Sequence, residues 1–237
     1  MAPGAEVLAN IRSKGFGDDD LLFEDLFLTV PSGQVVALIG PSGVGKSTLI
    51  RMIAGIDDGF EGEISIDGQP AGRASIPGFV FQDPRLLPWG TAMENIFAVK
   101  PDLDLTVAQK LFADMGLAGA EDSLPHELSG GMQRRVALAR ALAVEPRILL
   151  LDEPFVSVDR KLARELRGLL ARVFDDYQPT VVLVTHDAKD AAELADRVIR
   201  LEGRPARFAT DQMIDTPRVG RDSDFIARLS AELDDSE

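Results

Sequence analysis

The chain has 237 residues, 45% of them hydrophobic, which is enough for one large domain with a sizeable core. Its formal net charge of −14, from 39 acidic and 25 basic residues, argues against nucleic acid or anionic lipid as a partner, because both attract clustered lysine and arginine. The longest apolar runs have about five residues, far fewer than the ~20 that span a bilayer, and cysteine is absent. With no secretory-signal pattern at its start, the chain is expected to remain in the cytosol unless a partner holds it at a membrane.

Hydrophobic periodicity predicts short strands and helices in alternation. The expected strands are 22–30, 35–39, 63–66, 148–151, 181–184 and 197–201, with a weaker β signal at 206–209. The expected helices are 106–115, 130–144, 159 to about 174, 187–195 and 222–233. Strand signals are absent between about 83 and 146, which indicates an inserted helical lobe. The remaining alternation predicts an α/β fold with a parallel sheet covered on both faces.

A glycine-rich loop directly follows the predicted strand 35–39. It fits the pattern Gly-x4-Gly-Lys-Ser/Thr, in which backbone N–H groups and a helix N-terminus surround phosphate oxygens. The flanking strand and helix favour this interpretation over an incidental turn. The pattern predicts contacts of Lys46 with the β and γ phosphates and of Ser47 with Mg²⁺. The loop residues predicted to bind nucleotide are Gly40, Pro41, Ser42, Gly43, Val44, Gly45, Lys46, Ser47 and Thr48.

Two acids end the apolar strand 148–151. Successive side chains of a strand point to opposite faces, so Asp152 and Glu153 can take different roles. Asp152 is predicted to belong to the Mg²⁺ shell, and Glu153 to orient and partly deprotonate a water aimed at the γ-phosphate. Alone the pair is a weak signal, because exposed acids are common at strand ends. In a chain that also has a phosphate loop earlier in its sequence, the signal is strong.

The segment Leu128, Ser129, Gly130, Gly131 and Met132 lies upstream of this strand. It resembles the Leu-Ser-Gly-Gly signature of the nucleotide-binding subunits of ATP-binding cassette (ABC) transporters. A serine and two glycines at a helix start form a second phosphate-binding surface. The resemblance implies that two subunits pack head to tail, with each ATP between the phosphate loop of one and the signature of the other.

Several other residues each match a single functional position of this family. The resemblance implies that Phe16 stacks on adenine, although a buried core position is the alternative for this side chain. It implies that Gln82 contacts Mg²⁺ and the attacking water, that Asp159 lies at the dimer interface, and that His186 contacts the γ-phosphate. Two departures are Met132, where glutamine is frequent, and the sequence 156–159, where Ser-Ala-Leu-Asp is usual.

The resemblance covers about residues 7–205. It implies a P-loop NTPase (RecA-like) core with an N-terminal antiparallel β subdomain and an inserted α-helical subdomain. The whole chain, 1–237, is expected to be one ABC ATPase domain. The core and β subdomain are expected at about 5–83 and 147–205, the helical subdomain at about 84–146, and a tail at about 206–237.

The segment 82–89 resembles importers of the nitrate, sulfonate and taurine type, in which this region borders a groove for the membrane subunit. Leu86, Leu87 and Trp89 form an apolar anchor next to two prolines that limit backbone freedom, which favours docking of a permease over a core plug.

The expected function is an ATPase, using ATP and Mg²⁺, that dimerises with a second ABC subunit and powers transport of a small solute. A permease and a solute-binding protein are expected to complete the system, and this chain is expected at the cytoplasmic face of the inner membrane, held there by the permease. The alternatives are an exporter or lipid-trafficking system, an ABC ATPase acting on nucleic acid or ribosomes, and a stand-alone kinase. The sequence leaves the solute open, because the groups that recognise it belong to other subunits.

Two charged clusters are expected to be solvated. The aspartate run 18–20 is predicted to be a turn rather than a metal site. For Arg134, Arg135 and Arg140, on one predicted helix, a solvated face is favoured over a functional patch.

Overall fold

The computed structural model describes residues 3–17, 20–73, 76–156 and 158–234. Within these ranges the strands are β1 (Val7–Gly15), β2 (Leu21–Val30), β3 (Val35–Ile39), β4 (Glu61–Ile66), β5 (Gln69–Pro70), β6 (Gly78–Val80), β7 (Ile148–Asp152), β8 (Thr180–Val184), β9 (Arg197–Glu202) and β10 (Arg207–Met213). The α-helices are α1 (Lys46–Ile53), α2 (Ala92–Phe97), α3 (Leu105–Asp114), α4 (Gly130–Ala143), α5 (Arg160–Tyr177), α6 (Ala188–Leu194) and α7 (Ser223–Asp234).

The central sheet has six strands in the order β10-β9-β3-β8-β7-β6. All neighbours are parallel except β10, which pairs antiparallel with β9 at one edge. Strands β3, β7 and β8 are buried along their whole length. Alternate residues of β3 belong to different apolar clusters, Val36 and Leu38 with α1 on one face, Val35 and Ala37 with α5 and α6 on the other. A strand with both faces covered needs the continuous apolar run that the sequence shows.

The second sheet is antiparallel, in the order β2-β1-β4-β5. Burial alternates along β1, so that Val7, Ala9 and Ile11 face the core while Asn10 and Arg12 face solvent. Side chains from this sheet share a core cluster with α1, which connects the sheet to the phosphate-loop side of the central sheet.

No strand occurs among the described residues between β6 and β7, where α2, α3 and α4 form the helical subdomain. Helix α2 begins with a capping box, in which Thr91 accepts a hydrogen bond from the Glu94 N–H and Glu94 accepts one from the Thr91 N–H. Helix α7 packs against α6 and buries Leu229 and Leu233.

Most predicted strands and helices occur close to the expected positions. The structure also has β1, α2, β5 and β6, which the sequence did not predict. Strand β1 lacks a continuous apolar run, and α2 is too short for a helical period to be recognised. The predicted 206–209 piece extends as β10 to Met213. Two residues of the expected acidic turn, Asp18 and Asp19, lie outside the described ranges.

In the described part of the chain, no helix has both the length and the apolar character needed to cross a bilayer.

Candidate functional site

The site lies where three neighbouring parallel strands end. Strand β3 leads into the phosphate loop, β7 ends at Asp152, and β8 leads into Thr185 and His186. Because β8 pairs with both β3 and β7, these carboxyl ends lie side by side. Ligand sites of open α/β sheets lie at this edge.

The phosphate loop needs glycine at two positions where its backbone is tightly packed. Gly40 has φ 133°, and a Cβ there would overlap the carbonyl oxygen of Leu201. Gly45 has φ 112°, and its Cβ would lie 2.6 Å from Cζ of Phe23. Both φ values are in the region that glycine tolerates and side chains strain. The loop can therefore wrap closely around a ligand while packed against β2 and β9.

Lys46 begins helix α1 and is only 5% exposed. Its Nζ donates hydrogen bonds to the carbonyls of Gly40 at 2.7 Å and Pro41 at 3.0 Å. Burial lowers the pKa of Lys46 below its ordinary value, while Glu153 and Asp152 act in the opposite direction. The first N–H groups of α1 lack acceptors inside the helix, so they and Lys46 together form an anion-binding cradle.

The hydroxyl of Ser47 donates a 2.7 Å hydrogen bond to Oδ1 of Asp152. Asp152 is 2% exposed, and burial raises its pKa, with Ser47 and Arg51 as opposing influences. Nη2 of Arg51 lies 3.8 Å from Oδ2 of Asp152. The donor set of a hydroxyl and a carboxylate is the oxygen chemistry that Mg²⁺ prefers, so these residues fit such an ion.

Glu153 lies beside His186, with Oε2 3.4 Å from Nδ1 of the imidazole. Glu153 has φ 47°, a strained value for a residue with a side chain, and its N–H donates to the carbonyl of Val184 at 2.9 Å. That bond joins the chain after β7 to the end of β8. Glu153, the predicted general base, and His186, the residue predicted to contact the γ-phosphate, are therefore adjacent.

Gln82 follows β6 and is exposed, with its backbone held by the helical subdomain. Nη1 of Arg134 donates to the Gln82 carbonyl at 3.0 Å. Arg140 donates to the carbonyls of Pro84 at 2.9 Å and Arg85 at 2.8 Å. The expectation of a solvated arginine face was wrong, because α4 packs against this loop and its guanidinium groups satisfy backbone carbonyls.

Arg135 does not contact this loop. It donates to the carbonyl of Met115 at 3.3 Å and to Glu165 at 2.5 Å.

The signature segment begins helix α4. Ser129 is the N-cap, and its Oγ accepts a hydrogen bond from the Met132 N–H at 3.2 Å. Gly130 has open space beside it, whereas a Cβ on Gly131 would overlap Leu162 of α5. The side chain of Met132 packs partly buried against the core. None of the hydrogen bonds of Ser129 within the described residues reaches the phosphate loop.

Asp159 is the N-cap of α5, and its Oδ1 accepts hydrogen bonds from the N–H groups of Lys161 at 2.9 Å and Leu162 at 3.0 Å. Its neighbour Ser157 lies outside the described residues. Phe16, just after β1, is 65% exposed, which excludes the alternative of a buried core side chain. Nζ of Lys14 lies 5.2 Å from its ring centroid.

A buried polar group that the sequence did not predict lies beside His186. Thr185, Asp190 and Arg167 are all less than 10% exposed and hydrogen-bond to one another. Burial raises the pKa of Asp190 to about 6, with Asp187 adding to the rise and Thr185 and Arg167 opposing it. No local pattern marks this group, since Arg167 and Asp190 are 23 residues apart.

Comparison with known proteins gives the family. The family model described as "ABC transporter" matches residues 23–156. The aliphatic sulfonates import ATP-binding protein SsuB 1 of Pseudomonas savastanoi pv. phaseolicola is 42% identical over 234 residues, covering 96% of this chain and 94% of the relative. A protein of the same name from Pseudomonas aeruginosa is 47% identical over 210 residues, covering 85% and 83%.

Among solved structures, the ATP-binding cassette MJ0796 is similar with a TM-score of 0.77 and 29% identity. The match covers 90% of this chain and 100% of that one, a dimer in a post-hydrolysis state bound to ADP and Pi. The protein cbiO1 of Clostridium perfringens, part of an ABC transporter complex, has a TM-score of 0.76 and 25% identity, covering 87% and 88%.

The chain belongs to the ATP-binding subunits of ABC transporters. It binds ATP and is an ATPase that powers transport through a separate permease. The similarities also confirm the expected fold class, a P-loop NTPase core with an antiparallel β subdomain and an inserted helical subdomain.

Asp190→Asn should change how stability depends on pH. The pKa of Asp190 is raised from 3.8 to about 6, so the folded chain binds this proton more tightly than the unfolded chain. The resulting stabilisation is complete below about pH 4 and is lost as pH rises through about 6. The free energy of unfolding of the native chain minus that of Asp190→Asn should therefore fall by up to about 3 kcal/mol across this window, measured by urea denaturation.

Asp104→Asn is the control of opposite sign. Hydrogen bonds from Thr106 lower the pKa of this exposed carboxyl. The stabilisation from this carboxylate is present above its pKa in the unfolded chain and is lost as pH falls through its pKa in the folded chain. The free energy of unfolding of the native chain minus that of Asp104→Asn should therefore rise with pH. If the free energy of unfolding of the native chain minus that of Asp190→Asn stays constant or rises with pH, the raised pKa assigned to Asp190 is contradicted.

Proposed function

We propose that the chain hydrolyses MgATP at the ends of β3, β7 and β8 to drive import of an aliphatic sulfonate or a related small oxyanion. The pairing of Ser47 with Asp152 at 2.7 Å, beside Glu153 and His186, is the observation that carries the catalytic part. The sulfonate class is taken from relatives named as sulfonate import proteins, which are 42% and 47% identical to this chain.

Binding of nucleotide is assigned to the phosphate loop and to Phe16. Lys46 would leave its two backbone carbonyls and pair with phosphate oxygens, which are stronger acceptors for a buried cation. The exposed ring of Phe16 is available to stack on adenine. Ser47, Gln82 and Asp152 would hold Mg²⁺, which supplies charge neutralisation at the β and γ phosphates when bound.

Hydrolysis is assigned to Glu153, with His186 beside it and Gln82 as a further contributor. The Glu153 carboxylate accepts a proton from water as the water oxygen bonds to the γ-phosphorus, and the bond to the ADP oxygen breaks. His186, 58% exposed in its side chain, is free to turn from Glu153 toward a phosphate oxygen. Gln82 is assigned a contact with the same water.

A second copy of the chain is proposed to complete each site. Ser129 and Gly130 are exposed at the start of α4, with N–H groups that lack acceptors inside the helix. The structurally similar cassette MJ0796 is a dimer bound to ADP and Pi, which supports the same assembly here. In that arrangement Gly131, Met132 and Asp159 lie near the subunit boundary.

We propose that the chain acts as one domain. Its core and β subdomain span about 5–83 and 147–205, its helical subdomain about 84–146, and its tail about 206–237. The packing of α7 on α6 supports including the tail.

Lys46→Ala and Glu153→Gln should separate binding from chemistry. Lys46→Ala should lose tight ATP binding or hydrolysis. Glu153→Gln should keep binding and lose turnover by roughly 10²–10⁴-fold, because only the proton acceptor is removed. Phosphate release and fluorescent-ATP titration measure the two properties. The exposed Lys110→Ala is the charge-matched control for Lys46 and should keep both. Unchanged turnover in Glu153→Gln would refute its assigned role.

Docking of the permease is proposed around Trp89. Its side chain is 77% exposed, so it is not the core plug that was the alternative. The buried side chain of Asn95 holds the loop, accepting from the Leu87 N–H at 2.7 Å and donating to the Gly90 carbonyl at 3.2 Å. Leu86 packs partly against the core, which leaves Trp89 as the main anchor, with Leu87 beside it. A rigid loop that presents one exposed aromatic side chain suits an interface hot spot.

Trp89→Ala should weaken capture of the permease. Loss of a central aromatic anchor costs about 2 kcal/mol or more, roughly a 30-fold weaker complex. The affinity is measured by copurifying the permease with the tagged chain over a series of permease concentrations. Phe27→Ala is the matched control, since Phe27 is 62% exposed on β2. Equal capture by both variants would place the interface elsewhere.

An uptake assay tests both the class of the solute and the direction of transport. Vesicles or cells that contain the chain, its permease and the solute-binding protein should accumulate a labelled alkanesulfonate, and Lys46→Ala should abolish this. Nitrate and thiamine precursors are the comparison solutes. Efflux of solute or lipid under ATP would identify an exporter instead. The proposed location is the cytoplasmic face of the inner membrane, held there by the permease.

A further inference from the structure

A buried ion pair joins helices α5 and α6 beside the site. Nη1 of Arg167 lies 2.8 Å from Oδ1 of Asp190, and their side chains are 8% and 3% exposed. Nε of Arg167 also lies 2.8 Å from Oε2 of Glu193, although its N–H is not aimed at that oxygen. Charges this deep are retained only with close partners, since removing one partner leaves an uncompensated buried charge.

The pair continues into the loop that carries His186. Oγ1 of Thr185 donates a 2.9 Å hydrogen bond to Oδ2 of Asp190, and it accepts one from the Asp187 N–H at 3.0 Å. The residue before His186 is therefore bonded directly to the Asp190 carboxylate, and the residue after it is linked to that carboxylate through the Thr185 hydroxyl. The Thr185 N–H donates to the Leu38 carbonyl of β3 at 3.2 Å, which anchors the loop start independently of its side chain.

Arg167 also contacts the segment that carries Glu153. Its guanidinium carbon lies 5.6 Å from the ring centroid of Phe155, two residues after Glu153. The Arg167 guanidinium thus contacts the Glu153 segment directly. It is linked to the His186 loop through Asp190 and Thr185. Glu153 and His186 are themselves 3.4 Å apart.

We propose that Thr185, Asp190 and Arg167 are positioning residues that hold the His186 loop against the Glu153 segment and so set the rate of ATP hydrolysis rather than the affinity for ATP. This inference rests on the roles given to Glu153 and His186 in the proposed function. None of the three residues belongs to the phosphate loop or contacts Phe16, so binding and hydrolysis should respond differently to their loss.

Thr185→Val is the informative variant, because valine has nearly the shape of threonine and lacks only the hydroxyl. Turnover should fall roughly 10- to 100-fold, the size expected when reacting groups lose alignment. Affinity for fluorescent ATP should stay within about twofold, since the loop and its backbone anchor are kept. Thr185→Ser restores the hydroxyl and should recover most of the turnover.

Thr180→Val is the matched control at the other end of β8. Thr180 is fully buried, and its hydroxyl also makes two hydrogen bonds, accepting from the Gly33 N–H at 2.9 Å and donating to the Ala5 carbonyl at 2.6 Å. The two valine variants should lose similar thermal stability, but only Thr185→Val should lose turnover. Steady-state phosphate release, ATP titration and thermal unfolding of the full chain give the three measurements.

Four outcomes overturn the inference while wild-type ATPase activity stands. They are wild-type turnover in Thr185→Val, equal losses of turnover and ATP affinity in that variant, an equal loss of turnover in Thr180→Val, and no recovery in Thr185→Ser. Failure of the proposed function is a separate result, because it would appear as unchanged hydrolysis in Glu153→Gln.

Discussion

Parallel pairing of β3, β8 and β7 is the constraint on which the site depends. Val184 is the register partner of both Leu38 and Asp152, so the chain leaves all three strands at one level. Residues more than a hundred positions apart, such as Ser47 and Asp152, come within 2.7 Å as a result. A shift of one residue in any strand would send its terminal side chain to the other face of the sheet.

Burial of the sheet on both faces governs the chemistry at its edge. Asp152 and Lys46 are nearly inaccessible to water, and burial moves their pKa values in the directions that disfavour charge. Hydrogen bonds from Ser47 to Asp152 and from Lys46 to the loop carbonyls compensate this cost. The same groups are then positioned for a strongly charged ligand, whose interactions are stronger where water is excluded.

Helix α4 joins two parts of the machinery. Ser129 caps its start. Further along, Arg134 and Arg140 donate to the carbonyls of Gln82, Pro84 and Arg85. Charge-assisted hydrogen bonds of this kind are stronger than neutral ones and fix the loop relative to the helix axis. The segment from Gln82 to Arg85 is therefore held against the helix whose N-cap is Ser129.

The chain by itself determined the features that depend on short-range order. A few neighbouring residues encode each of them: the phosphate loop after 35–39, the two acids at the end of β7, the signature at the start of α4, and the alternation of buried strands with helices. Only the tertiary structure decided that Arg134 and Arg140 bind the loop after β6. It also decided that Leu86 packs inward while Trp89 faces out, and that Arg167 meets Asp190 beside His186. Those partners are distant in sequence, and a charged or aromatic side chain is solvated or buried according to which element folds against it, which no local period specifies.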